Sequence, residues 1–114
     1  MLSIEEVKEQ IVTSLQVFGI DRIILFGSYA KGKADEESDL DLFVVKKGLS
    51  KEETRSFRLS LQRALIDFQR KHRIGIDLLV DSEERVNDRI ERVGDRFYRE
   101  ILEEGETLYA NRVL

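Results

Sequence analysis

Three aspartates lie on short apolar segments, where carboxylates are costly to bury. Asp39 and Asp41 are two residues apart, so on a strand both side chains project from the same face. Asp77 lies in the middle of the apolar run 74–80. A divalent cation that prefers oxygen ligands would neutralise such carboxylates directly. If the two segments are neighbouring strands, the three acids converge and match the two-metal chemistry of phosphoryl transfer.

A glycine-serine pair with a nearby lysine indicates a turn that binds phosphate. Gly27 and Ser28 follow the apolar segment 23–26, and glycine lets the backbone approach a phosphate closely. Backbone amides and the Ser28 hydroxyl can donate hydrogen bonds to phosphate oxygens, and Lys31 adds positive charge. Alone, such a pair is a common turn. Together with Asp-x-Asp and a later strand aspartate, it predicts a site that binds the phosphates of a substrate.

Helix and strand patterns alternate along the chain, with the three aspartates on predicted strands and the glycine-serine pair directly after one. Strands are predicted at 22–26, 39–45 and 74–80. Helices are predicted from Ser3 to Gly19, from Ser50 to Lys71–Arg73, and from Ser82 to Gly105, where Gly94 bends or splits the last one. The tail at 106–114 either adds an edge strand or packs across the body. This order predicts an α/β (α+β) fold, a small mixed β-sheet with helices packed against it, whose first two strands are antiparallel.

Length, charge and cysteine content exclude several classes of protein. The 114 residues are enough for one domain, 1–114, with one core. A net charge of −4 argues against DNA or RNA as the main partner. Absence of cysteine removes disulfides and thiolate chemistry. The sequence has neither an apolar run of the roughly 20 residues that a membrane span needs nor a signal peptide, so we expect a soluble cytoplasmic domain.

Two segments resemble the signature of the minimal nucleotidyltransferases of the DNA polymerase β-like superfamily. They are GSYAKG at 27–32 and SDLDLFV at 38–44. The resemblance implies a nucleotidyltransferase fold and assigns six residues to the site: Gly27, Ser28 and Lys31 to the nucleotide, and Asp39, Asp41 and Asp77 to catalysis and to Mg²⁺. Asp77 would help to activate the acceptor hydroxyl. Lys31 stands where arginine is more usual, so the charge is kept but the bidentate fork is lost.

The small members of this superfamily are similar to antitoxins that are encoded with a HEPN-domain toxin. The resemblance implies that the chain transfers AMP from ATP to a tyrosine hydroxyl of such a toxin and so silences it. A catalyst of one domain should recruit a protein acceptor, or build the acceptor site across a homo- or hetero-oligomer. Two other functions stay open: an antitoxin that neutralises the toxin by binding alone, and a nucleotidyltransferase that acts on a small molecule.

Structural interpretations of the charged residues also stay open. Asp39 and Asp41 would face water if their strand lies at a sheet edge, and Asp77 would be structural if an arginine of an adjoining helix pairs with it. His72 lies at a basic helix end, which argues against a Ser-His-Asp triad. Five arginines at three- and four-residue spacing favour an ion-paired solvated face over a basic stripe for an acidic partner: Arg85, Arg89, Arg92, Arg96 and Arg99.

Overall fold

Four strands form one mixed sheet in the computed structural model, which describes residues 3–111. They are β1 (Arg22–Phe26), β2 (Leu40–Val45), β3 (Ile76–Asp81) and β4 (Glu106–Ala110). The spatial order is β3-β2-β1-β4. β1 is antiparallel to β2 and to β4, whereas β3 is parallel to β2. The predicted mixed α/β architecture and the antiparallel pairing of the first two strands are confirmed.

Helices cover the sheet and begin where the sequence places capping serines. They are α1 (Ile4–Leu15), which continues as a 3₁₀ turn (Gln16–Phe18), α2 (Gly27–Ala30), α3 (Lys51–His72), α4 (Glu83–Asp88), which continues as a π-helical turn (Arg89–Val93), and α5 (Arg96–Glu104). The hydroxyls of Ser3, Ser50 and Ser82 each accept a backbone N–H three residues on. The reciprocal capping box is complete at Ser50 and Glu53. Within residues 3–111, every helix is too short or too polar to cross a membrane.

The central strand β2 is buried on both faces. Leu40, Leu42 and Val44 pack in one cluster with buried residues of α1 and α3. Phe43 and Val45 pack in a second cluster with residues of α4 and α5. Because β2 has a strand on each side, the interpretation of Asp39 and Asp41 as part of an edge strand is wrong.

The start of β3 differs from the sequence prediction, and the structure decides between the alternatives for the last helical region and for the tail. The strand expected at 74–80 begins at Ile76, because the preceding residues cap α3: Arg73 has φ 52° and the Ile74 N–H donates to the Gln69 carbonyl. The last helical region is split rather than bent, because Gly94 adopts φ 75° between the π-helical turn and α5. The tail forms the edge strand β4, and its last predicted residues, 112–114, lie outside the described part.

Candidate active site

Asp41 and Asp77 lie side by side at the start of two parallel strands. They are register partners across β2 and β3, whose backbones are about 4.8 Å apart in such a pair. Register partners on parallel strands point to the same face of the sheet, so the side chain of Asp77 lies beside that of Asp41. Asp41 is half-buried and Asp77 is exposed. The fold therefore brings Asp41, from the Asp-x-Asp segment, next to Asp77 of the later strand.

The site brings the negative charges of Asp39, Asp41 and Asp77 together. Burial is the largest cause that raises the pKa of the Asp41 carboxyl, followed by the negative charges of Asp77 and Asp39. Within residues 3–111, no basic side chain forms an ion pair with any of the three. The pairing of Asp77 with an arginine is therefore absent from the part of the chain that the structure describes.

Two glycines make room for the carboxylates. A Cβ atom at Gly27 would overlap the carboxylate of Asp41, and a Cβ at Gly75 would overlap that of Asp39. Gly27 also has φ 73°, a left-handed conformation that other residues adopt at a cost. Sequence reasoning missed Gly75, although a glycine inside an apolar strand pattern signals the close approach of another group.

The glycine-serine turn lies beside the carboxylates. Phe26, the last residue of β1, is the register partner of Asp41, so the chain enters α2 next to that aspartate. The Lys33 N–H donates to the Ser28 carbonyl at 2.9 Å and holds the turn closed. Gly27 therefore lies against the Asp41 carboxylate, and Ser28 is the next residue of α2.

Lys31 extends from the turn toward α5. Its Nζ is 3.5 Å from Oε1 of Glu100, and both side chains are about half exposed. Such a solvent-screened pair contributes little to stability. Between the turn and α5 lies a cavity of about 200 Å³ whose walls include Phe26, Phe97 and Lys31. Lys31 is therefore adjacent to the site, and only a weak contact would have to break for it to turn toward a phosphate.

The donor chemistry of the site fits Mg²⁺ bound together with a nucleotide. Carboxylate oxygens are the ligands that this ion prefers. Within the described range, 3–111, no three His, Cys, Asp or Glu side chains are arranged to hold a metal ion by themselves. Mg²⁺ is usually bound by one or two carboxylates, with waters and substrate phosphates completing the octahedron. The paired Asp41 and Asp77, with Asp39 nearby, match that mode.

Comparison with known proteins identifies the family of the chain. The family model "Polymerase beta, Nucleotidyltransferase" matches residues 9–112. The chain belongs to this family. The nucleotidyltransferase is 38% identical over 90 residues to "Putative protein adenylyltransferase MJ0604" of Methanocaldococcus jannaschii, which covers 79% of each chain. It is 52% identical over 44 residues to "Putative protein adenylyltransferase MJ0141" of the same organism, which covers 39% of the nucleotidyltransferase and 43% of that relative.

Solved structures share the fold of the nucleotidyltransferase. A crystal structure of a toxin-antitoxin with AMP-PNP superposes with a TM-score of 0.53 at 17% identity, over 92% of this chain and 74% of that chain. A mutant of the toxin-antitoxin MntA-HpeT superposes with a TM-score of 0.55 at the same identity and coverage. At this identity the likeness supports the fold, and the predicted nucleotidyltransferase fold is confirmed.

Proposed function

We propose that this nucleotidyltransferase transfers AMP from ATP to a tyrosine hydroxyl of a HEPN-domain toxin and thereby acts as its antitoxin. The observation that carries the proposal is the pair Asp41 and Asp77, which face each other beside the glycine-serine turn and have no basic ion-pair partner among residues 3–111. The names of the curated relatives, protein adenylyltransferases, support AMP as the transferred group. The toxin-antitoxin neighbours support a toxin as the partner. We place the reaction in the cytoplasm, where ATP is available.

Each residue of the site has a role in this reaction. The backbone at Gly27, the Ser28 hydroxyl and the Lys31 ammonium would hold the triphosphate. Asp39, Asp41 and Asp77 would hold Mg²⁺, which when bound neutralises the triphosphate and lowers the pKa of the acceptor hydroxyl: this is chemistry that carboxylates alone do not supply.

The transfer needs no covalent enzyme intermediate. The acceptor oxygen forms a bond to the α-phosphorus, and the bond from that phosphorus to the bridging oxygen breaks, so that pyrophosphate leaves. Asp77 is exposed at the start of β3, where it can accept the proton of the attacking hydroxyl. Asp41 is more buried than Asp77 and would stay bound to the Mg²⁺ that accompanies the nucleotide.

Labelling of the partner tests the proposal. ATP labelled at the α-phosphate is incubated with Mg²⁺, the nucleotidyltransferase and the HEPN protein encoded beside it. We expect label on the HEPN protein, its loss with EDTA, and a tyrosine-AMP adduct in mass spectrometry that the Tyr→Phe variant of the partner lacks. ATP labelled at the γ-phosphate should leave the partner unlabelled. Label that persists with Asp41→Asn would contradict the site.

A cell-survival assay separates catalysis from binding. An antitoxin that only masks its partner should still protect cells as the Asp39→Ala/Asp41→Ala variant. The proposal predicts that this variant binds the toxin with unchanged affinity and fails to protect. Label on a small-molecule acceptor in the absence of any protein acceptor would favour the remaining alternative.

A further inference from the structure

A basic groove lies away from the glycine-serine turn, at the far end of β3. It encloses about 440 Å³ between α3, β3 and α4. Its cationic lining comes from three helical segments: Lys51, Arg55, Arg58, Arg85 and Arg89. Asp81 is the acidic residue among its walls. This local excess of positive charge contrasts with the chain as a whole, whose net charge is −4.

The carboxylate of Asp81 is already engaged. Its Oδ1 accepts from Nε of Arg85 at 2.5 Å, and its Oδ2 accepts from the Tyr98 hydroxyl at 2.6 Å. Arg85 also donates to the Leu49 carbonyl and to the Thr54 hydroxyl. Asp81 and Arg85 therefore stabilise the wall of the groove, and Asp81 does not neutralise the cations contributed by α3.

The three cations of α3 point the same way. Lys51, Arg55 and Arg58 are four and three residues apart, a spacing that puts them on one side of a helix. All three are exposed, and none forms an ion pair with another residue between 3 and 111. Like charges held together on one side repel each other, so an acidic ligand would relieve this repulsion.

The composition of the groove favours a protein segment over RNA. Recognition of single-stranded RNA relies on aromatic rings on which bases stack. The aromatic residue in the walls, Tyr98, is buried, and its hydroxyl is bound to Asp81. The net negative charge of the chain would also repel a longer polyanion. A short acidic stretch of polypeptide avoids both penalties.

We propose that this groove docks an acidic segment of the protein that accepts AMP, an inference that rests on the proposed function. Asp77 and Asp81 are four residues apart on β3, which corresponds to about 13 Å along the strand. A partner chain that lies along β3, an edge strand of the sheet, would therefore reach the carboxylates with about four extended residues. The acidic segment and the acceptor hydroxyl should be separated by that distance on the surface of the partner.

Two charge-reversal variants of α3 test the inference. Arg55→Glu/Arg58→Glu reverses the charge of two of the five cations of the groove, and Arg63→Glu/Arg70→Glu makes the same change of charge at exposed positions outside it. The probes are a fluorescent glutamate-rich peptide and a fluorescent oligouridine RNA, measured by anisotropy without ATP or Mg²⁺. We expect the peptide to bind the unaltered chain, and to bind the groove variant about ten-fold more weakly than the control variant. Circular dichroism should show that both variants are folded.

The outcomes separate this inference from the proposed function. Equal losses in the two variants, or no binding of the peptide, would overturn the groove assignment. Preferential binding of the RNA, lost in the groove variant, would also overturn it in favour of a nucleic-acid ligand. The binding measurement does not depend on AMP transfer, so a chain that binds the peptide in the groove but labels no partner would contradict the proposed function alone. Where transfer occurs, the groove variant should raise KM for the protein acceptor and leave KM for ATP unchanged.

Discussion

The two ends of β3 each carry an aspartate on the same face of the sheet, and their surroundings are opposite. Asp81 accepts hydrogen bonds from Arg85, from Tyr98 and from the Ser82 N–H. Asp77 faces a second carboxyl, that of Asp41, and has no ion-pair partner within residues 3–111. Asp77 lies within the apolar strand β3 and Asp81 ends it, and sequence alone does not show which of the two carboxylates the protein neutralises.

This difference shows which carboxylates the fold uses for itself. A polar group in the interior is normally satisfied by the protein, as Asp81 is. A cluster of acids that the fold leaves without a cation costs stability, and such unbalanced charge is found where a ligand supplies the missing charge. We therefore expect substitutions at one end of β3 to change activity and substitutions at the other end to change stability.

The largest effect should come from removing a charge at the acidic end. Asp41→Asn should slow AMP transfer about a hundred- to thousand-fold, because a metal ligand of this kind supplies several kcal/mol of transition-state stabilisation. The same change relieves repulsion with Asp77, so the free energy of unfolding in urea should stay equal or increase. A variant that loses activity because it unfolds would contradict the comparison.

Two glycines with the same backbone conformation give the next test. Gly27 has φ 73° and Gly32 has φ 68°, so an alanine at either position pays a similar left-handed cost of about 1–2 kcal/mol. Only the alanine at Gly27 would also collide with Asp41, whereas space at Gly32 is open. Gly27→Ala should therefore lose about a hundred-fold in transfer rate through the displaced carboxylate. Gly32→Ala should keep the transfer rate of the unaltered chain. Equal rates in the two variants would show that Gly27 is not needed to make room for the Asp41 carboxylate.

The far end of β3 should respond in stability instead. Asp81→Asn leaves the Arg85 guanidinium without its negatively charged partner, and we expect it to lower the free energy of unfolding by about 2–3 kcal/mol. Asp77→Asn changes an exposed side chain and should alter that free energy by less than about 0.5 kcal/mol. Urea denaturation measures the free energy of unfolding of both variants. Equal losses in Asp81→Asn and Asp77→Asn would contradict the difference that we expect between the two ends of β3.

The smallest effect concerns alkaline pH. Burial, and then the hydrogen bond to Asp81, raises the pKa of the Tyr98 hydroxyl well above its usual value. The folded state thus retains this proton when the unfolded chain loses it. The resulting stabilisation is complete below the ordinary tyrosine pKa of about 10 and is lost as the pH rises above it. Tyr98→Phe should cost about 1–2 kcal/mol at neutral pH and unfold with a weaker dependence on alkaline pH. If the free energy of unfolding of Tyr98→Phe depended on alkaline pH as it does in the unaltered chain, the raised pKa would not belong to Tyr98.

The strands and helices that carry the candidate site could be predicted from local sequence patterns. Alternation in β2 separates Leu42 from Asp41, and the structure puts them on opposite faces as predicted. Ser50 with Glu53 marks the start of α3. Such signals depend on neighbours within a few residues, which is why they can be read without the fold. The prediction of an ion-paired face on the last helical region is also confirmed for two of its arginines, Arg89 and Arg92, whereas Arg85 is half-buried and pairs with Asp81 of β3.

Contacts between distant segments were not accessible in this way. Gly75 was not recognised as the residue that seats Asp39, because the contact joins the approach to β3 with the start of β2. The basic groove combines Arg55 and Arg58 of α3 with Arg85 of α4. Sequence spacing grouped Arg85 with the later arginines instead, because periodicity describes one helix at a time.

The sequence by itself determined which residues could do chemistry and on which kind of element they lie, because side-chain type and local periodicity are properties of short segments. Only the tertiary structure decided which aspartate of β3 is neutralised and which is left facing another acid. That choice depends on strand register and on the side chains that α4 and α5 bring to Asp81. Coulombic and desolvation energies follow distances through space, and those distances exist only once the chain has folded.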